Sequence, residues 1–483
     1  MKSQAFSPFL PSYEYIPDVE PHVFGDRLYV YGSHDKFGGN KFCINDYALW
    51  SAPVNDLSDW RFEGEIYRKT QDPANRNGKR ALWAPDVTRG PDGRYFLYYC
   101  LSDYPQISVA VCDTPNGKFE YLGCVCDPDS HVVGQRKTDT LVFDPAVLVD
   151  TDGRIWLYAG NGPLKATQDK KRKKASICME LEQDMLTIKT EPKPLIPTIH
   201  NSSGTGFEGH EFFEASSIRK FNGRYYFIYS SLLCHELCYA ISDWPDRGFI
   251  YSGTLISNGD IRPESRVVVD FNMKANRLVR NYIGNNHGSL VQVRNKYYIF
   301  FHRHTNRNMF SRQACAEEIF MQEGGRFLQA ELTSCGLNGG PLQGRGEYEA
   351  RMACHLYSKE GALFSAHPLV QNKSHPAFTR DGDDREHNPG QYIENMRDGA
   401  TAGFKCFCFN EAARITVTIR GKGKGLLVVR DDVNGDTVAK IPIIPCKDWS
   451  VACSSLTMAN GTYALYFTYE GTGYIDFKSF SLE

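Results

Sequence analysis

Five segments of this chain repeat one design: a polar tight turn, a basic residue, then a run of aromatic and β-branched residues. They are Phe24–Tyr31, Pro91–Tyr99, Thr151–Tyr158, Phe221–Tyr229 and Val293–Phe301. A turn feeding such a run reads as a hairpin entering a strand. The basic residues Arg27, Arg94, Arg154, Arg224 and Lys296 stand 67, 60, 70 and 72 residues apart. Each interval has room for about four short strands, and five such units predict a five-bladed β-propeller. A β-sandwich would not repeat one hairpin at such long, regular spacing. With 27 Tyr, 29 Phe and 42 Gly, the composition also favours many short strands over helices.

A propeller gathers its innermost strands around one axis, so the residues just before each hairpin are the place to look for chemistry. Eight to ten residues ahead of the basic markers stand Asp18, Asp86, Asp144, Glu214 and His287. Carboxyls facing one another across a cavity suit glycoside hydrolysis. One must be protonated to donate to the leaving oxygen, and another ionised to activate water or attack carbon. A third nearby raises the acid's pKa by like-charge repulsion. The chain has no phosphate-cradling P-loop and no GxSxG nucleophile elbow, so phosphoryl transfer and serine hydrolysis lack their signatures.

Over residues 7–335 the sequence resembles glycoside hydrolase family 43. The resemblance rests on Asp18 in Ile16-Pro17-Asp18-Val19-Glu20, on Trp83-Ala84-Pro85-Asp86, on Phe143-Asp144-Pro145, and on Phe212-Phe213-Glu214 followed by Gly223-Arg224-Tyr225-Tyr226. It implies an inverting, single-displacement hydrolase with Asp18 as general base, Glu214 as general acid and Asp144 orienting Glu214. In an inverting pair the carboxyls lie roughly 6.5–9.5 Å apart, leaving room for a water. It further implies His287, in Asn285-Asn286-His287-Gly288-Ser289, as ligand to an axial calcium, and Arg312 as a substrate-facing arginine. Trp83, Phe143, Asp86 and Phe37 complete the expected substrate-binding set. Pro17, Val19 and Ala215-Ser216 depart from the family pattern, which bears on the sugar subsite rather than on the carboxyl roles.

The repeats place the propeller at residues 1–337 and a glycine-rich linker at 338–347 (Asn338–Glu347 is NGGPLQGRGE). Residues 348–483 read as a β-sandwich, with strands expected at Phe404–Phe409, Ala413–Ile419, Leu426–Arg430, Thr437–Ile444 and Thr462–Tyr469. This part resembles a family 6 carbohydrate-binding module. That resemblance implies Tyr392 and Trp449 as an aromatic pair around a sugar, and Glu349 and Asp476 as holders of a second, structural calcium. Ser365–Gln391 is expected to be a long surface loop and the basic run Lys170–Lys174 a solvated one.

Lys plus Arg total 55 against 57 Asp plus Glu, a balance unlike that of a nucleic-acid binder. No apolar stretch is long enough to span a membrane. The first residues lack a basic region followed by an apolar run, and the fifteen irregularly spaced cysteines form no zinc pattern, so a cytoplasmic protein with reduced thiols is expected. The expected activity is release of terminal xylose or arabinofuranose from short plant cell-wall oligosaccharides. An endo-arabinanase, a retaining fructan hydrolase and a non-catalytic lectin are the competing readings. The sequence sets no oligomeric state.

Overall fold

Each repeat closes into its own antiparallel sheet. The computed structural model describes residues 4–165, 173–262, 279–359, 361, 373–385 and 390–483. The first blade is β1 (Glu20–Phe24), β2 (Arg27–Tyr31), β3 (Tyr47–Pro53) and β4 (Arg61–Tyr67), hydrogen-bonded in that order. The second is β5 (Leu82–Arg89), β6 (Tyr95–Leu101), β7 (Tyr104–Cys112) and β8 (Glu120–Cys124). The third is β9 (Ala146–Val149), β10 (Ile155–Gly160), β11 (Ser176–Leu181) and β12 (Lys193–Pro194). The fourth is β13 (Phe212–Phe221), β14 (Arg224–Ser231), β15 (Glu236–Ser242) and β16 (Ile250–Ser257). The fifth has three strands among the described residues, β17 (Leu290–Val293), β18 (Lys296–His304) and β19 (Arg312–Ile319).

The basic markers stand where the pattern puts them. Phe24 lies opposite Arg27, Phe221 opposite Arg224 and Val293 opposite Lys296, each closing a two-residue hairpin. The aromatic runs that follow become second strands buried between neighbouring blades. Tyr98, Leu157 and Met179 share one inter-blade cluster, and Trp156, Tyr158 and Phe227 another. The ring closes where Val19 bridges Gly288 in parallel. A Cβ on Gly288 would sit 1.9 Å from the Phe300 carbonyl oxygen, so only glycine permits this approach.

The second unit is two six-stranded sheets packed face to face. One runs β20 (Leu342–Gln343), β25 (Thr401–Phe409), β30 (Gly461–Thr472), β27 (Lys424–Arg430), β28 (Thr437–Ile443), with β22 (His355–Tyr357) on β25. The other runs β23 (Ala377–Thr379), β24 (Tyr392–Met396), β31 (Ile475–Leu482), β26 (Arg414–Gly421), β29 (Cys446–Ser455), with β21 (Gly346–Glu349) on β31. Phe404, Phe407, Phe467, Phe477 and Phe480 fill the space between them. Residues 338–347, read from composition as a linker, instead supply β20 and the start of β21. Polar, glycine-rich sequence hides a strand whose only large apolar residue, Leu342, is fully buried.

The two units are bonded to each other through main chain and side chain. Ser334 N donates to the Lys405 carbonyl (2.6 Å), and Arg303 Nη1 to that of Arg351 (2.7 Å). His355 Nε2 meets Asp260 Oδ2 at 2.7 Å. Among the described residues there is no α-helix, and no helix is long and apolar enough to cross a membrane. Most of the basic run 170–174 and part of Ser365–Gln391 lie outside the described residues.

Candidate active site

The inner strands begin with a shared distortion. Asp18 (φ 56°), Ala84 (φ 34°), Asp144 (φ 45°) and Ala215 (φ 65°) all take the left-handed region. For residues with a Cβ this costs about 1–2 kcal/mol each. The strands carrying Trp83 and Glu214 are bulged at the same level, with register shifts from Trp83 to Asp86 and on both sides of Glu214. A bulge re-aims one side chain out of the regular alternation. The bulge aims Glu214, and the left-handed backbone just ahead of β1 and β9 aims Asp18 and Asp144, into one cavity of about 350 Å³, lined also by Phe42, Cys43, Trp83, Phe143, Phe213, Cys234, Asn285, His287, Met309 and Arg312.

The three carboxyls sit in different electrostatic settings. Burial alone would raise the Asp18 pKa, but the Arg312 guanidinium, with help from His287 and His302, holds it at about 2. Arg312 Nη1 donates to Asp18 Oδ1 (2.8 Å), while Nε and Nη2 grip both oxygens of Asp35 (2.9 and 3.0 Å). Arg312 is itself only 1% exposed, so these bonds are little weakened by water. Burial pushes Glu214 up to about 7, with the charge of Asp18 adding to the rise and Arg312 opposing it. Its carboxyl has no hydrogen-bond partner among the described residues. Asp144 is also pushed up, by burial and then by Glu214 and Asp18. Its Oδ2 accepts from the Ala215 amide (2.9 Å), which fixes the backbone beside Glu214.

His287 lines the cavity with Nδ1 3.7 Å from Asp144 Oδ2. Burial lowers its pKa to about 4, so the imidazole is neutral near pH 7. Trp83 and Phe143 both reach the cavity and meet edge to face at 5.5 Å.

Two expected substrate contacts lie elsewhere. Asp86 is fully buried, paired with His22 (2.7 Å) and accepting from the amides of Val87 and Val147 (2.8 Å each), so it staples three blades together. The residue matching Asp18 and Asp144 in backbone conformation is Ala84; Asp86 comes two residues later, beyond the bulge. Phe37 stacks on Tyr15 (5.6 Å) beneath the Arg380 guanidinium (5.1 Å), turned away by the tight turn in which Gly39 N donates to the Lys36 carbonyl. Phe42, five residues on, takes the place at the cavity wall. Phe42, Cys43, Asp35 and Asn285 carry no local signal, because all reach the site through loops.

Among the described residues, the second unit places the residues implied for sugar and calcium in other contacts. Tyr392 and Trp449 are 5.2 Å apart at 71°, and the Arg420 guanidinium fills the space between, 4.7 Å from one ring and 4.4 Å from the other. Arg420 is anchored by Asp476 (3.0 Å) and the Tyr392 hydroxyl (2.7 Å), which leaves no slot for a sugar. Glu349 pairs with Arg351, and Asp476 also accepts from the Asn395 amide. Among the described residues these two acids belong to no cation-ready cluster.

A five-bladed propeller with a trio of carboxyls at its hub, one clamped as an anion and one kept protonated, defines a carbohydrate-cleaving enzyme. The family model for glycosyl hydrolases family 43 matches residues 14–327, and the chain belongs to that family. It is 48% identical over 483 residues to a xylosidase/arabinosidase of Thermoclostridium stercorarium, covering 100% of this chain and 99% of that one. Among solved structures, a family 43 arabinoxylan arabinofuranohydrolase from Bacillus subtilis, in complex with cellotetraose, aligns over 99% of this chain and 97% of its own (18% identity, TM-score 0.50). A β-xylosidase/α-arabinofuranosidase from a compost metagenome, solved with xylotriose in a calcium-free form, aligns over 66% and 96% (24% identity, TM-score 0.50).

Proposed function

We propose that this glycoside hydrolase releases terminal xylosyl or arabinofuranosyl units from short xylan-derived oligosaccharides with inversion. The observation that carries the mechanism is the opposed setting of Asp18 and Glu214 within one cavity. Two carboxyls whose surroundings push their pKa values apart are an ionised base and a protonated acid at the same pH. Asp18, fixed by Arg312, takes the proton of a water as that water attacks the anomeric carbon. Glu214 gives its proton to the departing glycosidic oxygen. Asp144, bonded to the Ala215 amide, keeps Glu214 aimed, while burial and the charge of Asp18 keep Glu214 protonated. Trp83 and Phe143 offer apolar faces to the sugar rings. A second cavity of about 410 Å³ shares these two residues and adds Tyr104 and Asn161, which supports room for a leaving sugar.

The neutral His287, whose ring makes no hydrogen bond among the described residues and which has Asp144 and Asp18 near it, fits a single-imidazole ligand to calcium otherwise held by water. When bound, such an ion would supply positive charge to the site. All fifteen cysteines are free thiols, which supports a reducing, cytoplasmic setting.

Nitrophenyl β-xyloside, nitrophenyl α-arabinofuranoside and xylobiose, assayed with and without chelator, test the substrate class. Proton NMR of the first-formed anomer tests the stereochemistry, and retention would overturn the base role of Asp18. Activity is expected to fall as pH rises through about 7, where Glu214 loses its proton. A rate that keeps rising well above that pH excludes Glu214 as the acid.

A further inference from the structure

The loop between β2 and β3 contributes to the cavity wall and has no regular structure of its own. Phe42 and Cys43 line the cavity from it, and Asp35, the second partner of Arg312, stands at its base. An irregular segment of this length needs bonds from elsewhere to hold one shape. One carboxyl supplies them from the other domain. Asp384 Oδ1 accepts from the Phe37 amide (2.7 Å), and Oδ2 from Asn45 Nδ2 (3.1 Å). Phe37 lies in the Lys36–Gly39 turn and Asn45 near the end of the loop, so one side chain ties two distant points of the loop together. The same Asn45 Nδ2 also donates to the Asp35 carbonyl (3.0 Å), and Asp35 Oδ1 accepts from the Cys43 amide (2.9 Å).

Neighbouring contacts reinforce the clamp. Arg385 Nη1 reaches Glu14 Oε1 (2.9 Å) and His34 Nε2 (3.0 Å), and Arg380 lies over Phe37. A continuous set of bonds therefore runs from Asp384 through Asn45, Asp35 and Arg312 to Asp18.

We propose that Asp384 of the sandwich domain is a positioning residue for hydrolysis, clamping the 32–46 loop so that Asp35 presents Arg312 to Asp18. The sandwich then serves the reaction as a brace for the base rather than as a sugar-binding module. This rests on the hydrolytic reading above, and the test separates the two.

The experiment compares full-length wild type, Asp384→Ala and Asp260→Asn. The last variant weakens the domain contact to His355 without touching the loop. Hydrogen–deuterium exchange is followed at the Phe37 amide, and kcat/KM for nitrophenyl xyloside or arabinofuranoside is followed from pH 3 to 8. For Asp384→Ala we expect faster exchange at Phe37 and a roughly tenfold to hundredfold loss of kcat/KM, the scale of a small misplacement at a reacting centre. We also expect an acid limb near the ordinary aspartate value of about 4, as Asp18 loses its fixed guanidinium. Asp18 is faced by Arg312, His287, His302, Glu214, Asp144, Cys43 and Ser33. The loop carries Ser33 and Cys43, whose thiol burial keeps neutral, and through Asp35 it holds Arg312, the one cation of the set that depends on it. Asp260→Asn is expected to move neither the exchange at Phe37 nor the acid limb.

Unchanged exchange or an unchanged acid limb in Asp384→Ala overturns the positioning role, and so does an equal change in Asp260→Asn. A wild type inert on every glycoside would sink the hydrolytic reading, and with it the catalytic part of this one, while the exchange data would still decide whether Asp384 clamps the loop.

Discussion

Two places in this molecule hold the same ingredients: an arginine beside aromatic rings, with carboxylates in reach. At the propeller hub the Arg312 guanidinium lies 4.8 Å from the Phe42 ring and binds Asp18 and Asp35. In the sandwich Arg420 lies between Tyr392 and Trp449 and binds Asp476. The first arrangement leaves a cavity and the second fills one. The difference lies in the backbone. At the hub, bulged and left-handed residues turn carboxyls out of the sheet alternation into a shared hollow. In the sandwich the strand of Arg420 also slips register, at Thr418–Ile419 and Ile419–Gly421, but Arg420 itself stays out of the left-handed region and folds down onto its neighbours. Residue types alone do not make a site, and neither does a bulge; at the hub the carboxyls Asp18 and Asp144 themselves take the left-handed backbone that aims them inward.

The sharpest break of that comparison is at the carboxyls. Asp18→Asn and Glu214→Gln should each cut kcat by roughly 10²–10⁴-fold, the contribution of a positioned acid or base. Circular dichroism should show the fold unchanged. For Glu214→Gln the loss should be smaller on a nitrophenyl glycoside than on xylobiose, because nitrophenolate departs with less help from an acid. Equal losses on both substrates would assign Glu214 another task.

Next comes Arg312→Met. It strands the buried Asp35 and Asp18 without a counter-charge, a change that costs about 3–5 kcal/mol when one member of a buried pair is removed. Urea denaturation should show that loss, and the surviving activity should acquire an acid limb as Asp18 returns toward its ordinary pKa. A folded, fully active Arg312→Met would remove the arginine from the account of Asp18.

The smallest effects belong to the other arginine. Arg420 is a quarter exposed at its side chain, so Arg420→Ala should cost about 1–2 kcal/mol, mostly in lost ring contact. It should leave kcat/KM on nitrophenyl xyloside as in wild type. Trp449→Ala should not alter retention on insoluble xylan. A clear drop in retention would show that the aromatic pair does take sugar.

How much of this was legible in the sequence depends on the range of each signal. The five hairpins were readable because a tight turn and its flanking strand are specified within about ten residues, and all five basic markers open a second strand or stand one residue before it. Asp18, Asp144 and Glu214 were found by counting back from those markers. The same count fell on Asp86 in the second blade, where the matching backbone position is Ala84; a bulge of two residues is invisible to spacing. Phe37 and Phe42 are both loop aromatics, and only the folded turn at Lys36–Gly39 decides which one faces inward. The 338–347 stretch looked like a linker because short edge strands carry too few apolar residues to show a period.

What the chain determined by itself is the ring: local turn chemistry repeated at a steady interval specifies blades wherever it occurs, and blades of that number close on an axis. The tertiary structure decided which side chains meet there and with what charge. Arg312 is 294 residues from Asp18, and Asp384 is 347 from Phe37. Pairings over such distances are set by how blades and sandwich pack, since burial and neighbouring charge, rather than residue type, determine whether a carboxyl holds or releases its proton.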